Sequence, residues 1–297
     1  MLDNSGDRDT LVVEFDYAQN LPLPRLPVND QFYKRLLWYF IFNAHLHGSP
    51  ANKSYMFTFL EGCSKKGANS VCSFLNTVFC NDLTAGTKTV FLLSDACPGQ
   101  NRNYTVSKFL SATAVLKKIE ILQLFPVRGH SYCQCDRNFG LYAKKIKSLQ
   151  SIETPQEYLD VIGSCRNPPF TFRNGEVKDF EAVLKPHFKS TCNVEISKAA
   201  MLIYNTDGSI VVHKNYGMVN GKSFHLLRNK NLSQDLFENM PCEVMKGVSD
   251  LKKKDVLSLL PYVKSHNRSF YTDFLNKIET TSSTLLSDDS DESHLDY

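Results

Sequence analysis

The chain turns apolar at Leu11-Val12-Val13-Glu14-Phe15-Asp16, a β-branched run that predicts a buried strand. Prolines at 22, 24 and 27 keep Leu21–Val28 out of helix and out of a central strand, so this segment reads as an extended connector. Aromatic residues dominate Phe32 to His45, which predicts a second strand, and Ser54-Tyr55-Met56-Phe57-Thr58-Phe59-Leu60 predicts a third. The polar residues from Gly48 to Lys53 suit a hairpin turn between them. From Ala68 to Asn81 the apolar positions fall at 71, 74, 75, 78 and 79, the stripe of an amphipathic helix. Thr89-Val90-Phe91-Leu92-Leu93 is short and apolar, as in a strand covered on both faces. A Pro-Gly loop follows, then a helix from about Tyr104 to Leu116 and a strand from Ile119 to Val127. Asp136 is placed to cap a further helix carrying Phe139, Leu141, Tyr142 and Ile146.

Three strands, then helix, strand, helix, strand and helix is the element order of an RNase H-like fold. The expected fold class is therefore α/β, an RNase H-like mixed five-stranded sheet flanked by helices, with a small C-terminal α+β appendage. Within that appendage, Thr154-Pro155-Gln156-Glu157 marks a helix start and Asn167-Pro168-Pro169 a break. Asn205-Thr206-Asp207-Gly208 suits a hairpin turn, and Leu251–Pro261 and Ser269–Ile278 read as helices. The expected boundaries are a disordered N-terminus over 1–10, the core over 11–151, the appendage over 152–278 and a disordered acidic tail over 279–297.

Composition narrows the setting only slightly. Residues 1–150 hold 17 Lys and Arg against 11 Asp and Glu, a surplus of +6, whereas 151–297 carry 17 against 20. A mildly basic first half suits a polyanionic ligand, although such surpluses are often plain solvated surface. The nine cysteines are scattered without a Cys-x-x-Cys pair, which points to reduced intracellular thiols and no disulfide partner. No apolar stretch reaches membrane-spanning length, so no membrane is expected.

Candidate chemistry lies in three aspartates. Asp16 and Asp95 each close an apolar strand, and Asp136 follows Gly129-His130-Ser131-Tyr132 at the start of a helix. In an RNase H-like sheet the first and fourth strands are neighbours, so acids at their ends converge, and a third reaches in from the helix after the fifth. Carboxylates so arranged suit Mg²⁺ or Mn²⁺, and two such ions can activate an attacking oxygen and stabilise a leaving one. Singly, Asp16 also reads as a strand-end turn residue, Asp95 as the start of a turn and Asp136 as a helix cap. Gln100, Asn101, Arg102 and Asn103 offer amides and a guanidinium to phosphate or a base edge; their plain alternative is a capped loop. His130 suits a proton shuttle or a loop histidine, and Lys144 and Lys145, with Lys147, suit a phosphate backbone or bare solvent. His130 with Cys133 and Cys135 lacks the spacing of a structural zinc site.

Several strings also carry a resemblance. They are Asp16-x-x-Gln19-Asn20, Tyr33-Lys34-Arg35-x-Leu37-Trp38, Ser94-Asp95-x-Cys97-x-Gly99-Gln100-Asn101-Arg102-Asn103 and Gly129-His130-Ser131 with Asp136-x-x-Phe139-Gly140. Over about residues 11–275 the chain resembles an uncharacterised domain repeated in insect and other animal genomes, similar to a transposase-derived RNase H-like core of the Asp-Asp-Asp/Glu type. The resemblance implies Asp16, Asp95 and Asp136 as metal-binding acids, DNA as partner and a nuclear setting. Other members carry a Glu just inside the first core helix, where this chain reads Gly67-Ala68-Asn69-Ser70-Val71, with Glu61 nearby. Two functions are expected from these features: a metal-dependent nuclease or DNA strand transferase, or a catalytically silent module that binds nucleic acid or a protein.

Overall fold

The computed structural model describes residues 9–48, 52–127, 133–190, 194–216, 221–229, 231–244, 247–278 and 280–281. Along the chain run β1 (Thr10–Tyr17), β2 (Leu21–Leu23), β3 (Leu37–His47), β4 (Ser54–Leu60), α1 (Ala68–Asp82), β5 (Thr89–Leu93), α2 (Tyr104–Lys117), β6 (Glu120–Leu124) and α3 (Gln134–Lys147). Then come α4 (Pro155–Gly163), β7 (Thr171–Asn174), α5 (Phe180–Leu184), β8 (Met201–Tyr204), β9 (Ser209–His213) and β10 (Lys222–His225). The last elements are β11 (Val248–Ser249), α6 (Asp250–Leu259), α7 (Arg268–Lys277) and β12 (Thr280–Thr281).

One large mixed sheet organises the chain, in the order β10-β9-β8-β6-β5-β1-β3-β4-β7, with β2 pairing on β3. At its centre β1, β5 and β6 are parallel, while β3 runs antiparallel to both β1 and β4. The sheet has ten strands, which corrects the expected five. The additional strands come from two sources. The proline-spaced connector supplies β2, whose Pro22 sits opposite Trp38 at an edge, where a missing N–H is tolerated. Residues beyond 151 supply β7 alongside β4 and the β8–β9–β10 meander alongside β6.

Alternation along β3 shows how the sequence builds two cores. Phe40, Phe42, Ala44 and Leu46 face one layer with Val13, Phe15 and Tyr17 of β1, against α1, α2 and α5. Leu37, Tyr39 and Ile41 face the opposite layer, where α3, α4, α6 and α7 supply Tyr142, Tyr158, Val256 and Tyr271. Every strand position of β3 up to Leu46 is thus committed to one helical layer or the other, except the polar ones at 43 and 45. Those polar positions lie beside the candidate site.

Some boundaries differ from expectation. Asn29–Tyr33 is a 3₁₀ turn with Phe32 and Tyr33 exposed, so β3 starts later, at Leu37. β6 stops at Leu124: the Phe125 N–H turns to the Ala200 carbonyl at 3.0 Å, and Pro126 has no N–H to continue the ladder. Asp9 stands just before β1, its carbonyl accepting from the Lys88 and Thr89 N–H groups at 2.7 and 3.1 Å, and Thr10 is in the strand. Thr280–Thr281 pairs with β11. The remaining residues of the segments expected to be disordered, 1–8, 279 and 282–297, lie outside the described residues. Among the described residues no disulfide joins any cysteine, and no helix is long and apolar enough to cross a membrane.

Candidate functional site

The carboxyl ends of β1 and β5 lie side by side because the two strands are parallel, with Glu14 level with Leu93. Two residues further along each strand direction stand Asp16 and Asp95. Asp16 is partly buried near the end of β1, and Asp95 is exposed in the loop that follows β5. The Tyr17 N–H donates to Asp16 Oδ1 at 2.7 Å. Burial, joined by the charge of Asp95 and then that of Asp136, pushes the Asp16 carboxyl up to about 7, against the pull of the Tyr17 amide and of Lys66. The charges of the other two predicted acids therefore reach Asp16.

The loop after Asp95 is held by its own polar side chains. The Asn101 amide and the Cys97 N–H, at 3.2 Å, both donate to Asp95 Oδ1. One carbonyl, that of Cys97, accepts from the N–H groups of Gln100, Asn101 and Arg102 at 3.3, 2.9 and 3.0 Å. Beneath, buried Gln123 donates to the Asn101 carbonyl at 3.2 Å and accepts from the Tyr204 hydroxyl at 2.8 Å. Asn103 donates to the carbonyls of Pro98 and Gln100, and its Oδ1 caps α2 by accepting from the Val106 N–H at 3.0 Å. Asn101 and Asn103 thus spend their amides on the loop. Arg102 is partly buried and reaches across to the segment before β8, its Nη1 donating to the Ala199 carbonyl at 3.2 Å.

Asp136 corrects an expectation. Cys133 occupies the N-cap of α3 and Asp136 sits inside the first turn, exposed, where the amide ends of the helix favour negative charge. The start of α3 is anchored by a residue that the sequence pattern does not single out. Glu14, buried on the same face of β1 as Asp16, accepts from the Cys135 N–H at 3.2 Å and pairs with His47 Nε2 at 2.8 Å. Burial pushes the Glu14 carboxyl up, but hydrogen bonds from His47, the Cys133 thiol and the Cys135 amide outweigh it and hold it below its ordinary value. Burial and the Glu14 charge push the Cys133 thiol up to about 12, so it remains a donor.

Around this anchor lies a buried polar patch. Asn138 on α3 donates to Asn43 Oδ1 at 2.8 Å and to Ser54 Oγ at 3.2 Å, and Asn43 donates to the Tyr55 carbonyl at 2.8 Å. His45 shares a 2.6 Å bond with Ser54 Oγ, and burial, with His47 and Arg166 nearby, lowers it to about 4. The sequence does carry a signal for this patch: Asn43, His45 and His47 recur at every second position of one strand, in register with Asp16, Glu14 and Val12.

Other predicted residues stand elsewhere. Lys144 and Lys145 are exposed in the last turn of α3, about 12–14 Å along the helix from Asp136 at its ordinary rise, and Lys145 donates to Ser164 Oγ at 2.6 Å. Gln100 is partly buried in the Asp95 loop. Glu61 is engaged with Lys252 at 2.6 Å and with the Trp38 N–H at 3.0 Å. His130 lies outside the described residues. Among the described residues no group of three or more His, Cys, Asp and Glu side chains stands close enough together to hold a metal ion.

Residues 37–218 match a family described as a domain of unknown function, DUF7869. The chain belongs to the DUF7869 family. The DUF7869 match takes in Asp95, its loop, Asp136 and the strands through β9, and it begins downstream of Asp16. Its description names no reaction. No curated protein and no solved structure is significantly similar to the chain.

Proposed function

We propose that this chain is a transposase-derived, RNase H-like phosphoryl transferase. In this reading Asp16, Asp95 and Asp136 take Mg²⁺ or Mn²⁺, and DNA phosphodiesters are the substrate, in a nuclear setting. One observation carries it: Asp16, at the carboxyl end of the first strand, is held near 7 by burial and by the charges of Asp95 and Asp136. A carboxyl so crowded by like charge gains most from a cation. The strand order β4-β3-β1-β5-β6, with β1, β5 and β6 parallel, supports the fold assignment.

The donors suit a hard cation. All are carboxylate oxygens, and among the described residues hydrogen bonds reach only Oδ1 of Asp16 and Asp95, leaving Oδ2 of each for a ligand. Bound divalent cations would neutralise the developing charge and acidify an attacking water or DNA 3′-hydroxyl. The chain's own contribution is positional. Asn101 and the Cys97 amide fix Asp95, Tyr17 fixes Asp16, and Glu14 docks the turn of α3 that carries Asp136.

Titration with Mn²⁺, followed by cleavage of branched, nicked and linear DNA, tests this reading with Asp95→Asn as control. Metal-dependent cleavage lost in the variant is expected. Equal cleavage by both proteins sinks the assignment. A second reading, a catalytically silent module that binds nucleic acid or protein, is favoured by the lack of a close metal-holding group among the described residues. Absence of Mn²⁺ binding would select it.

A further inference from the structure

Beyond Asp95 the same end of the sheet opens into a cleft of about 480 Å³. It begins at Ala96, the residue after Asp95, and runs past Phe125 and Pro126 beyond β6 towards Ala199–Ala200 before β8 and Lys214–Tyr216 after β9. Ligand sites in sheets with parallel strands favour the region outside their carboxyl ends, and this cleft occupies that place. Its volume falls within the small-ligand range of about 300–1,000 Å³.

The lining joins cations to ring faces. The Arg102 guanidinium lies 5.7 Å from the centre of the Phe125 ring, and its buried Nε takes no hydrogen-bond partner among the described residues. Lys198 and Lys214 stand at the rim, both paired to Glu195, whose single charge leaves the trio net positive. Tyr216 ties its hydroxyl to the Phe125 carbonyl and stays 47% exposed, so the phenol is oriented while the ring remains accessible. Basic groups follow a phosphate backbone, and an accessible aromatic face stacks on a base only when that base is unpaired.

We propose that this cleft binds a single-stranded segment of nucleic acid, one or two unpaired nucleotides flanking the phosphodiester at Asp95. Arg102, Lys198 and Lys214 meet the backbone and Tyr216 stacks on a base. The placement beside a scissile bond rests on the phosphoryl-transfer reading; the preference for an unpaired strand does not.

The test is fluorescence anisotropy of the full chain in EDTA, with a labelled oligothymidylate 12-mer and a blunt duplex of equal length. The single strand should bind at least tenfold more tightly. Lys214→Glu should weaken it about tenfold and flatten its salt dependence, by roughly 0.7 in slope for each phosphate no longer neutralised. Tyr216→Ala should weaken it about fivefold or more, while Tyr216→Phe retains the affinity. Glu195→Gln, which frees both lysines, should tighten it. Thermal melts of each variant exclude misfolding as the cause. Duplex bound as tightly as single strand, or affinity indifferent to Lys214→Glu and Tyr216→Ala in folded protein, overturns the proposal. Binding with these signatures but without Mn²⁺ uptake overturns only the metal reading; Mn²⁺-dependent cleavage unaltered by the cleft variants overturns only the cleft.

Discussion

Glu14 and Asp16 lie two residues apart on one face of β1, yet they are held in opposite electrostatic states. Burial raises both carboxyls. At Glu14 the hydrogen bonds of His47, Cys133 and Cys135 reverse that effect, whereas at Asp16 the charges of Asp95 and Asp136 add to it. One acid is a satisfied anchor and its neighbour is an acid short of a counter-charge.

The state of Asp16 sets a pH dependence. Its folded value of about 7 lies above the ordinary 3.8, so the folded chain holds a proton that the unfolded chain has released between those limits. Stability therefore falls as pH rises from about 4 to 7, and the full penalty persists above that. Asp16→Asn should stabilise the protein by on the order of 2 kcal/mol at pH 8, allowing for solvent screening, and by nearly nothing at pH 4. Urea denaturation at both pH values measures this. Under the metal reading, Mg²⁺ should raise the wild-type melting temperature at pH 8 and leave that of Asp16→Asn nearly unchanged.

Glu14 carries the opposite sign. Its folded carboxyl lies below the ordinary 4.5, so its stabilisation is present above that value and is lost as pH falls through the folded one. Glu14→Gln keeps an acceptor for the Cys135 N–H but removes the charge that His47 and Cys133 meet. A loss of about 1–2 kcal/mol at pH 7, shrinking as pH falls below the ordinary 4.5, is the expected result in denaturation experiments.

Asn101 is 1% exposed and donates to Asp95. Asn101→Asp would set a second carboxylate against the first in a buried place and should cost about 2–4 kcal/mol at neutral pH. Asn101→Ala removes the bond without adding charge and should cost about 1–2 kcal/mol. If both cost the same, charge at this loop is screened and a cation there would gain little.

Gly140 sits exposed in the middle of α3, and an added Cβ would meet no atom within 4 Å. Gly140→Ala should stabilise the protein by about 0.5–1 kcal/mol, since only the entropy of the unfolded chain changes. A thermal melt checks it. Destabilisation would mean that α3 departs from regular helix at this point.

How much of the molecule is legible in its sequence depends on the kind of signal. The Thr89–Leu93 strand is readable to the residue because an apolar run between polar ends has few alternatives. The Thr154-Pro155 start is readable because a capping hydroxyl and a first-turn proline are local chemistry, and Thr154 does accept from the Glu157 N–H at 3.3 Å. β7 is not: Thr171-Phe172-Arg173-Asn174 has no alternation of its own and becomes a strand only because β4 offers it an edge. For the site, Asp16 and Asp95 could be placed because strand ends follow from strands. The cap of α3 could not, since Cys133 holds that position with backbone geometry and no side-chain capping bond to the helix. Glu14 is hidden because a single charge within an apolar run looks like an outward-facing residue until the helix that covers it is known.

The strands that flank the central five come from far along the chain, β7 on β4 and β8 on β6. During synthesis the first 151 residues would therefore emerge with β4 and β6 as bare edges, rows of unpaired N–H and C=O groups open to any passing strand. Closure waits on partners more than 75 residues away, pairings of high loop-closure cost that form slowly. A chain shortened to its central layer should accordingly be recovered as aggregate, and the later residues act towards the earlier ones as a tethered chaperone.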